Sequence, residues 1–358
     1  MVESLLKQLC EIPAPSGYET KITSYLADFM SNAGFKIQFD VVGNLICQKK
    51  GSGNFKVMLI AHCDEVGFVV KYIADNGYIY FSSLGKTDIS LLYGRHVQIT
   101  HLGSSVSGVI GSSSTHLGGN DINNKDISNL WIDIGACSKN EVEKKVSVGD
   151  SIIIQPVISE LGNHMISCKA LDNKSSIAAL LDACLKIKDM EFPFDLYVVF
   201  SVQEEIGLVG SAPASFVVAP DVCIALDVTH ATDVPNIDNR KYGLIEINKG
   251  PVIPIGSNLS PIIQEKIKEF AAEEGIHFQR EALPGFSGTD IAQTQITGSS
   301  CYTGLISIPC RYMHSPVEIV STDDMRCISK LIELLLRKFD DSCVNDLQKK
   351  RARNRVLF

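Results

Sequence analysis

Apolar and polar positions recur along the chain with two periods, and the places where the period changes divide it. Residues 2–10 set Leu5, Leu6 and Leu9 at helical spacing, a short amphipathic helix closed by Ile12-Pro13-Ala14-Pro15-Ser16-Gly17. A second helix is predicted over 19–33, ending at Gly34. Strand-like runs follow at 36–39, 45–48 and 57–61, and the unbroken Val57-Met58-Leu59-Ile60-Ala61 suits a strand buried on both faces. From Gly67 to about His164 the pieces shorten to 68–73, 78–81, 96–100 and 151–155 between Gly, Ser and Asn turns, the texture of a small inserted β-rich domain. Within it, Ser112 to Asn129 reads as an exposed loop. From Lys169 helices (174–187, 261–274, 322–339) alternate with buried strands (196–202, 222–228, 305–308), which implies an α/β fold with a mixed, mostly parallel central sheet flanked by helices.

Size agrees with more than one unit, because 358 residues exceed the roughly 250–300 at which single cores stop growing. The expected division is a catalytic domain from segments 1–66 and 165–342, the insertion at 67–164 and a basic C-terminal tail at 343–358. A formal charge of -8 gives no electrostatic reason to expect a nucleic acid or an anionic membrane as partner. Lys349, Lys350, Arg351, Arg353 and Arg355 reverse that sign locally, and read as a solvated helix end or a flexible tail. Eleven scattered cysteines without a C-x-x-C pair, several inside apolar runs, point to a reducing compartment. With no basic-then-apolar N-terminal leader and no apolar run of about 18 residues, the expected setting is cytoplasmic, without a membrane span.

Sites in open α/β sheets gather at the carboxyl ends of strands, so polar residues just past buried strands carry the chemical information. Five such places occur. His62 ends an apolar strand in Ala61-His62-Cys63-Asp64, where Asp64 offers an acceptor for the second ring nitrogen. Asp172 stands ahead of a helix, where by default it is an N-cap but where a carboxylate can also bridge two cations. Glu204 and Glu205 are adjacent at the end of strand 196–202 and repel each other unless solvated or neutralised; one can bind metal while the other holds a water. Asp227 lies in an apolar strand where an isolated charge is costly, and His314 follows another strand. Taken alone, His62, Asp172 and His314 favour a structural role, the adjacent Glu204 and Glu205 suit either reading equally, and Asp227 needs a partner. Together they form an N/O donor set suited to paired Zn²⁺ or similar ions.

These residues, with Pro13-Ala14-Pro15-Ser16-Gly17-Tyr18-Glu19, Ala61 to Phe68, Ile132-Asp133-Ile134-Gly135-Ala136, Lys169 to Asp172, Gln203 to Leu208, Gly288-Thr289-Asp290 and Arg311 to Pro316, occur in an order that closely resembles the TET-type dinuclear aminopeptidases. Those are relatives of glutamyl and deblocking aminopeptidases, and some have been called endoglucanases. The resemblance implies a zinc-exopeptidase-like fold in which His62 and Asp227 hold one metal, Glu205 and His314 the other, and Asp172 bridges both. The metals would be Zn²⁺ or Co²⁺. It further implies that Asp64 supports His62, that Glu204 is the general acid/base acting on a metal-bridging water, and that peptides lose their N-terminal residue. Gly288-Thr289-Asp290 would support the site, and the insertion would mediate dimers that commonly build tetrahedral dodecamers. Two departures bear on tuning: Asn173-Lys174 replaces the usual Asp-Arg, and Val209-Gly210 the usual Arg-Gly.

Competing readings predict different features. A deacylase or amidohydrolase of N-acyl amino acids on the same scaffold usually carries an α/β lid, which the β-rich texture of 67–164 does not suggest. A non-catalytic shell or scaffold would have lost a ligand or the base, and none is missing. A glycosidase would need two metal-free carboxylates and gives the histidines no role.

Overall fold

The computed structural model describes residues 1–113, 116 and 126–356, with side chains as far as residue 350. In chain order the elements are α1 (Val2–Glu11), α2 (Thr20–Asn32), β1 (Lys36–Phe39), β2 (Leu45–Lys49), β3 (Lys56–His62), β4 (Gly67–Ile73), β5 (Ile79–Leu84), β6 (His96–His101), β7 (Ser104–Gly111), β8 (Trp131–Asp133), α3 (Lys139–Val142), β9 (Ser151–Ile154), β10 (Ser159–Leu161) and β11 (Met165–Cys168). They continue with α4 (Leu171–Lys186), β12 (Asp195–Ser201), α5 (Ser211–Val218), β13 (Val222–His230), α6 (Asn239–Tyr242), β14 (Ile255–Gly256), α7 (Pro261–Glu273), β15 (Ala282–Leu283), α8 (Asp290–Ile296), β16 (Tyr302–Cys310), β17 (Glu318–Ser321), α9 (Thr322–Lys338) and α10 (Asp341–Val356).

Six strands make the central sheet in the order β1-β2-β12-β3-β13-β16. The four from β12 to β16 run parallel, whereas β1 and β2 add an antiparallel edge. Alternation explains why the inner strands are continuously apolar. Val57, Leu59 and Ala61 of β3 face one core with Val198, Phe200, Ile224 and Leu226, while Met58 and Ile60 face the other with Val199, Cys223 and Ala225. The first core is covered by α1, α4 and α9; the second by α5 and α8. Helix α9 starts where the Ser321 side chain accepts from the backbone of Asp323 and Asp324, carries those acids in its first turn, and ends with Arg337 and Lys338, in accord with the helix dipole.

The insertion is a closed barrel, β4-β5-β8-β7-β6-β9, with its own core of Phe68, Val70, Ile79, Phe81, Val97, Ile99, Ile110, Ile132 and Ile152. Closure removes exposed strand edges. Most of the expected loop over 112–129 lies outside the described residues; at its end Ile127–Asn129 form one 3₁₀ turn capped by Asp126. The basic C-terminal stretch enters α10, and Val344 and Leu347 bury against the main core, which docks this segment as a helix. No helix among the described residues is long and apolar enough to cross a membrane.

One buried ionic cluster ties the segments that meet below the sheet edge. Glu65, just beyond β3, accepts from Lys169 and from Lys174 (3.0 Å) and from the backbone of Ala14 (2.9 Å), while Lys174 also donates to the Ile12 carbonyl (2.8 Å). Burial raises the Glu65 carboxyl, yet the two ammonium groups outweigh it and hold its pKa near 2. Removing one cation leaves buried charge unbalanced. Lys174→Met should therefore lower unfolding stability by about 3 kcal/mol, near the lower end of the cost of breaking a buried pair because Lys169 remains. Denaturant unfolding measures this, and a loss below about 1 kcal/mol would contradict the role assigned to the cluster.

Candidate metal centre

Parallel strands bring their carboxyl ends to one edge, and the register makes that edge level. Ser201 of β12 pairs with His62 of β3, and Ala225 of β13 pairs with Ile60, so Asp227 stands beside His62. Past β12 the chain turns through Gln203, and past β16 it returns through His314; both adopt left-handed backbone (φ 59° and 61°), uncommon for residues other than glycine. These turns aim Glu204, Glu205 and His314 into the cleft at that edge. It holds about 610 Å³ and is lined by His62, Asp172, Glu204, Glu205, Asp227 and His314 among others.

Asp172 occupies the middle. Its Oδ1 lies 3.1 Å from His62 Nε2 and its Oδ2 lies 3.2 Å from His314 Nε2. The second imidazole also meets Glu205 Oε2 at 3.2 Å, and the first lies 3.6 Å from Asp227 Oδ1 and 4.0 Å from Glu204 Oε2. Asp172 lies in the kinked first turn of α4 (φ -78°, ψ 103°), and its carboxylate is turned to the two histidines rather than left to cap the helix. His62, Asp172 and Glu205 present donor atoms within 4.8 Å of one another, as do His62, Glu204 and Asp227.

The surrounding shell fixes these groups through bonds to backbone. Asp64, expected to support His62 with its carboxylate, does so more closely with its carbonyl, at 3.2 Å from Nδ1 against 3.4 Å for Oδ1. Its carboxylate instead accepts from the N–H groups of Glu204 (3.0 Å) and Glu205 (3.1 Å) and from the Ser16 hydroxyl (2.6 Å). Glu318 of β17 accepts from the N–H of Asp172 (3.0 Å) and of His314 (2.7 Å), clamping the two halves of the site. Glu19 accepts from Gln203 N–H (3.1 Å), Asn173 donates to the Leu226 carbonyl (2.9 Å), and Ser201 donates to buried Asp290 at the start of α8. Gly288 and Thr289 line the cleft itself. Sequence reasoning passed over Glu318 and the bond between Gln203 and Glu19; the only local signal at Glu318 is a carboxylate beside an otherwise apolar strand.

Charge is the governing feature. Four carboxylates face two imidazoles in a buried space. Burial, with Asp227, Asp290 and Glu205 adding to it and His62 opposing, pushes the Glu204 carboxyl up to about 10; burial and Asp172 push Glu205 to about 7 against His314. Burial disfavours the charged imidazole of His314, but Asp172 and Glu205 outweigh it and lift the group to about 11; His62 is raised likewise by Glu204 and its other carboxylate neighbours. Asp172 is held well below the usual range in spite of burial by His314 and His62. Glu205 Oε1 is buried without a hydrogen-bond partner among the described residues. An unsatisfied carboxylate oxygen, excess negative charge and two imidazole nitrogens fit divalent cations of the kind bound by mixed N/O donors.

Comparison with known proteins agrees in extent and in shape. The profile of the M42 glutamyl aminopeptidase family, a metallopeptidase family, matches residues 43–331. A lysyl aminopeptidase of Pyrococcus furiosus is 34% identical, over 93% of this chain and 96% of its own. The crystal structure of a TET aminopeptidase from the marine sediment archaeon Thaumarchaeota archaeon SCGC AB-539-E09 superposes with a TM-score of 0.90 at 30% identity, covering 97% of this chain and 98% of that one. The TET1 peptidase of Pyrococcus horikoshii, which assembles into a tetrahedron or a large octahedral shell, gives 0.85 at 30% identity, over 94% and 99%.

The protonation pattern has a measurable consequence. A cation entering the cluster competes with the protons held by His62, His314 and Glu204, so metal uptake near pH 7 should release protons and affinity should rise with pH through the neutral range. Titration calorimetry in buffers of different ionisation enthalpy reads that release. A binding heat independent of the buffer would contradict it.

Proposed function

The chain belongs to the M42 glutamyl aminopeptidase family of peptide-bond hydrolases, and we propose that it removes N-terminal residues from short peptides at a two-metal site bridged by Asp172, with Glu204 as general acid/base. The observation that carries this reading is the position of Asp172 between His62 and His314, one carboxylate oxygen toward each. In this arrangement His62 and Asp227 would hold one cation and Glu205 and His314 the other. Bound there, two divalent ions such as Zn²⁺ or Co²⁺ would polarise the scissile carbonyl and make a water acidic enough to give up its proton.

The chain's own residues supply the rest. Glu204 is largely buried but lines the cleft; burial keeps its carboxyl protonated near neutral pH, and the positive charge of bound cations would favour the carboxylate needed to accept the water's proton. It then returns that proton to the departing amine. Asp64 holds Glu204 and Glu205 through adjacent N–H groups, which keeps the base and its ligand neighbour at fixed separation. The carboxylates that line the cleft suit chain ends, whose free α-amino group they can meet. We also infer a cytoplasmic setting, which eleven unpaired cysteines suit, and self-association through the insertion at 67–164 as a dimer and on to a dodecamer; the shells formed by the P. horikoshii peptidase support the latter.

Two substitutions separate the roles. Glu204→Gln should lower kcat by about 10²–10⁴-fold on aminoacyl-nitroanilides while elemental analysis still finds two metals per chain. Asp172→Asn should lose metal and activity together. Near-normal turnover by Glu204→Gln would remove it from the proton-transfer role.

A further inference from the structure

Beyond the metal ligands, the cleft wall carries one acidic side chain that the reaction does not use. Glu281 stands immediately before β15 and lines the same cleft as Glu204 and His314. Both its carboxylate oxygens lie within hydrogen-bond distance of a single donor, the Thr229 hydroxyl, at 2.9 and 3.0 Å. One hydroxyl supplies one proton, so most of the acceptor capacity of the carboxylate remains unused. No ion pair to Glu281 occurs among the described residues. Its neighbour Arg280 acts instead on Glu265 of α7, and Lys86, the cation on the cleft lining, is exposed at the rim. Burial raises the Glu281 carboxyl, with only the Thr229 bond opposing, as expected for a carboxylate without a compensating cation.

Its distance from the reacting centre is set by the strand. Thr229 follows Asp227 by two residues on β13, so the two side chains share a face and stand about 7 Å apart along it. A first side chain running from the Asp227 end along this wall would reach Glu281. That span matches the four-carbon stem of a lysine or the reach of an arginine.

Resting on the aminopeptidase reading, we propose that Glu281 selects peptides whose N-terminal residue is cationic, receiving the lysine ammonium or arginine guanidinium in the pocket formed with Thr229. The pocket disfavours acidic first residues, which would bring like charge against a half-buried carboxylate.

The test compares lysyl-, arginyl-, leucyl- and glutamyl-nitroanilides on the metal-loaded full chain. The wild type should show a lysyl and arginyl kcat/KM above the glutamyl value by at least about 10-fold, and Glu281→Gln should lower the lysyl-to-leucyl ratio by about 10–100-fold, the range of a hydrogen bond to a charged group. Charge reversal in Glu281→Lys should invert the lysyl-to-glutamyl order. A wild type that cleaves glutamyl substrates as fast as lysyl ones would overturn the assignment without any variant. So would an equal loss on all four substrates in Glu281→Gln, since that would place Glu281 on the α-amino group they share. Cleavage of the leucyl substrate with no cationic preference sinks this inference alone, whereas cleavage of none sinks it together with the aminopeptidase reading.

Discussion

Like-charge repulsion in a buried space is the constraint on which this structure turns. Asp172, Glu204, Glu205 and Asp227 are brought to one end of a parallel sheet, largely buried and with two imidazoles among them. No arrangement of hydrogen bonds within the cluster satisfies them all, as the unpartnered Glu205 Oε1 records. Protons held by Glu204 and the two imidazoles relieve the cost near neutral pH, and entering cations would take their place. The ligand side chains are fixed less by one another than by backbone N–H groups held from behind: Asp64 grips the 204–205 turn, and Glu318 grips Asp172 and His314. A second layer, Glu65 with Lys169 and Lys174, locks the segments carrying Asp64 and Asp172.

Sequence reading reached the parts of this that are local. A strand buried on both faces has to be an apolar run, so β3, β12, β13 and β16 announce themselves, and the polar residue ending each run follows. His62, Glu204, Glu205, Asp227 and His314 were legible for that reason. Asp172 taken alone reads as a cap, since a carboxylate ahead of a helix ordinarily is one; the bridging role was expected from the donor set and the resemblance, and His62 and His314 converge on its two oxygens. Asp64 was expected beside His62, and both its carbonyl (3.2 Å) and its carboxylate (3.4 Å) face Nδ1.

What escaped depends on partners far apart along the chain. Glu318 reaches Asp172 across 146 residues with nothing in its neighbourhood to mark it; Asp290 was expected near the site, but not its partner Ser201, 89 residues away. Short helices such as α5 and α8 were also missed, because seven or eight residues packed against a sheet give too few turns for a helical period to stand out. Lys174 illustrates the limit differently. Its departure from the family's usual arginine is plain in the sequence, but only the structure shows that the substituted side chain is fully buried on Glu65 and the Ile12 carbonyl, away from the cleft.

The central claim is that Asp172 joins two cations, each completed by one of the two histidines. Diffraction from metal-loaded crystals at the absorption edge of the bound ion tests it directly. The account predicts two anomalous peaks per chain about 3.5–4 Å apart, one beside His62 and Asp227, the other beside Glu205 and His314, with the Asp172 carboxylate between them. A single peak, or a pair that Asp172 does not bridge, would contradict it.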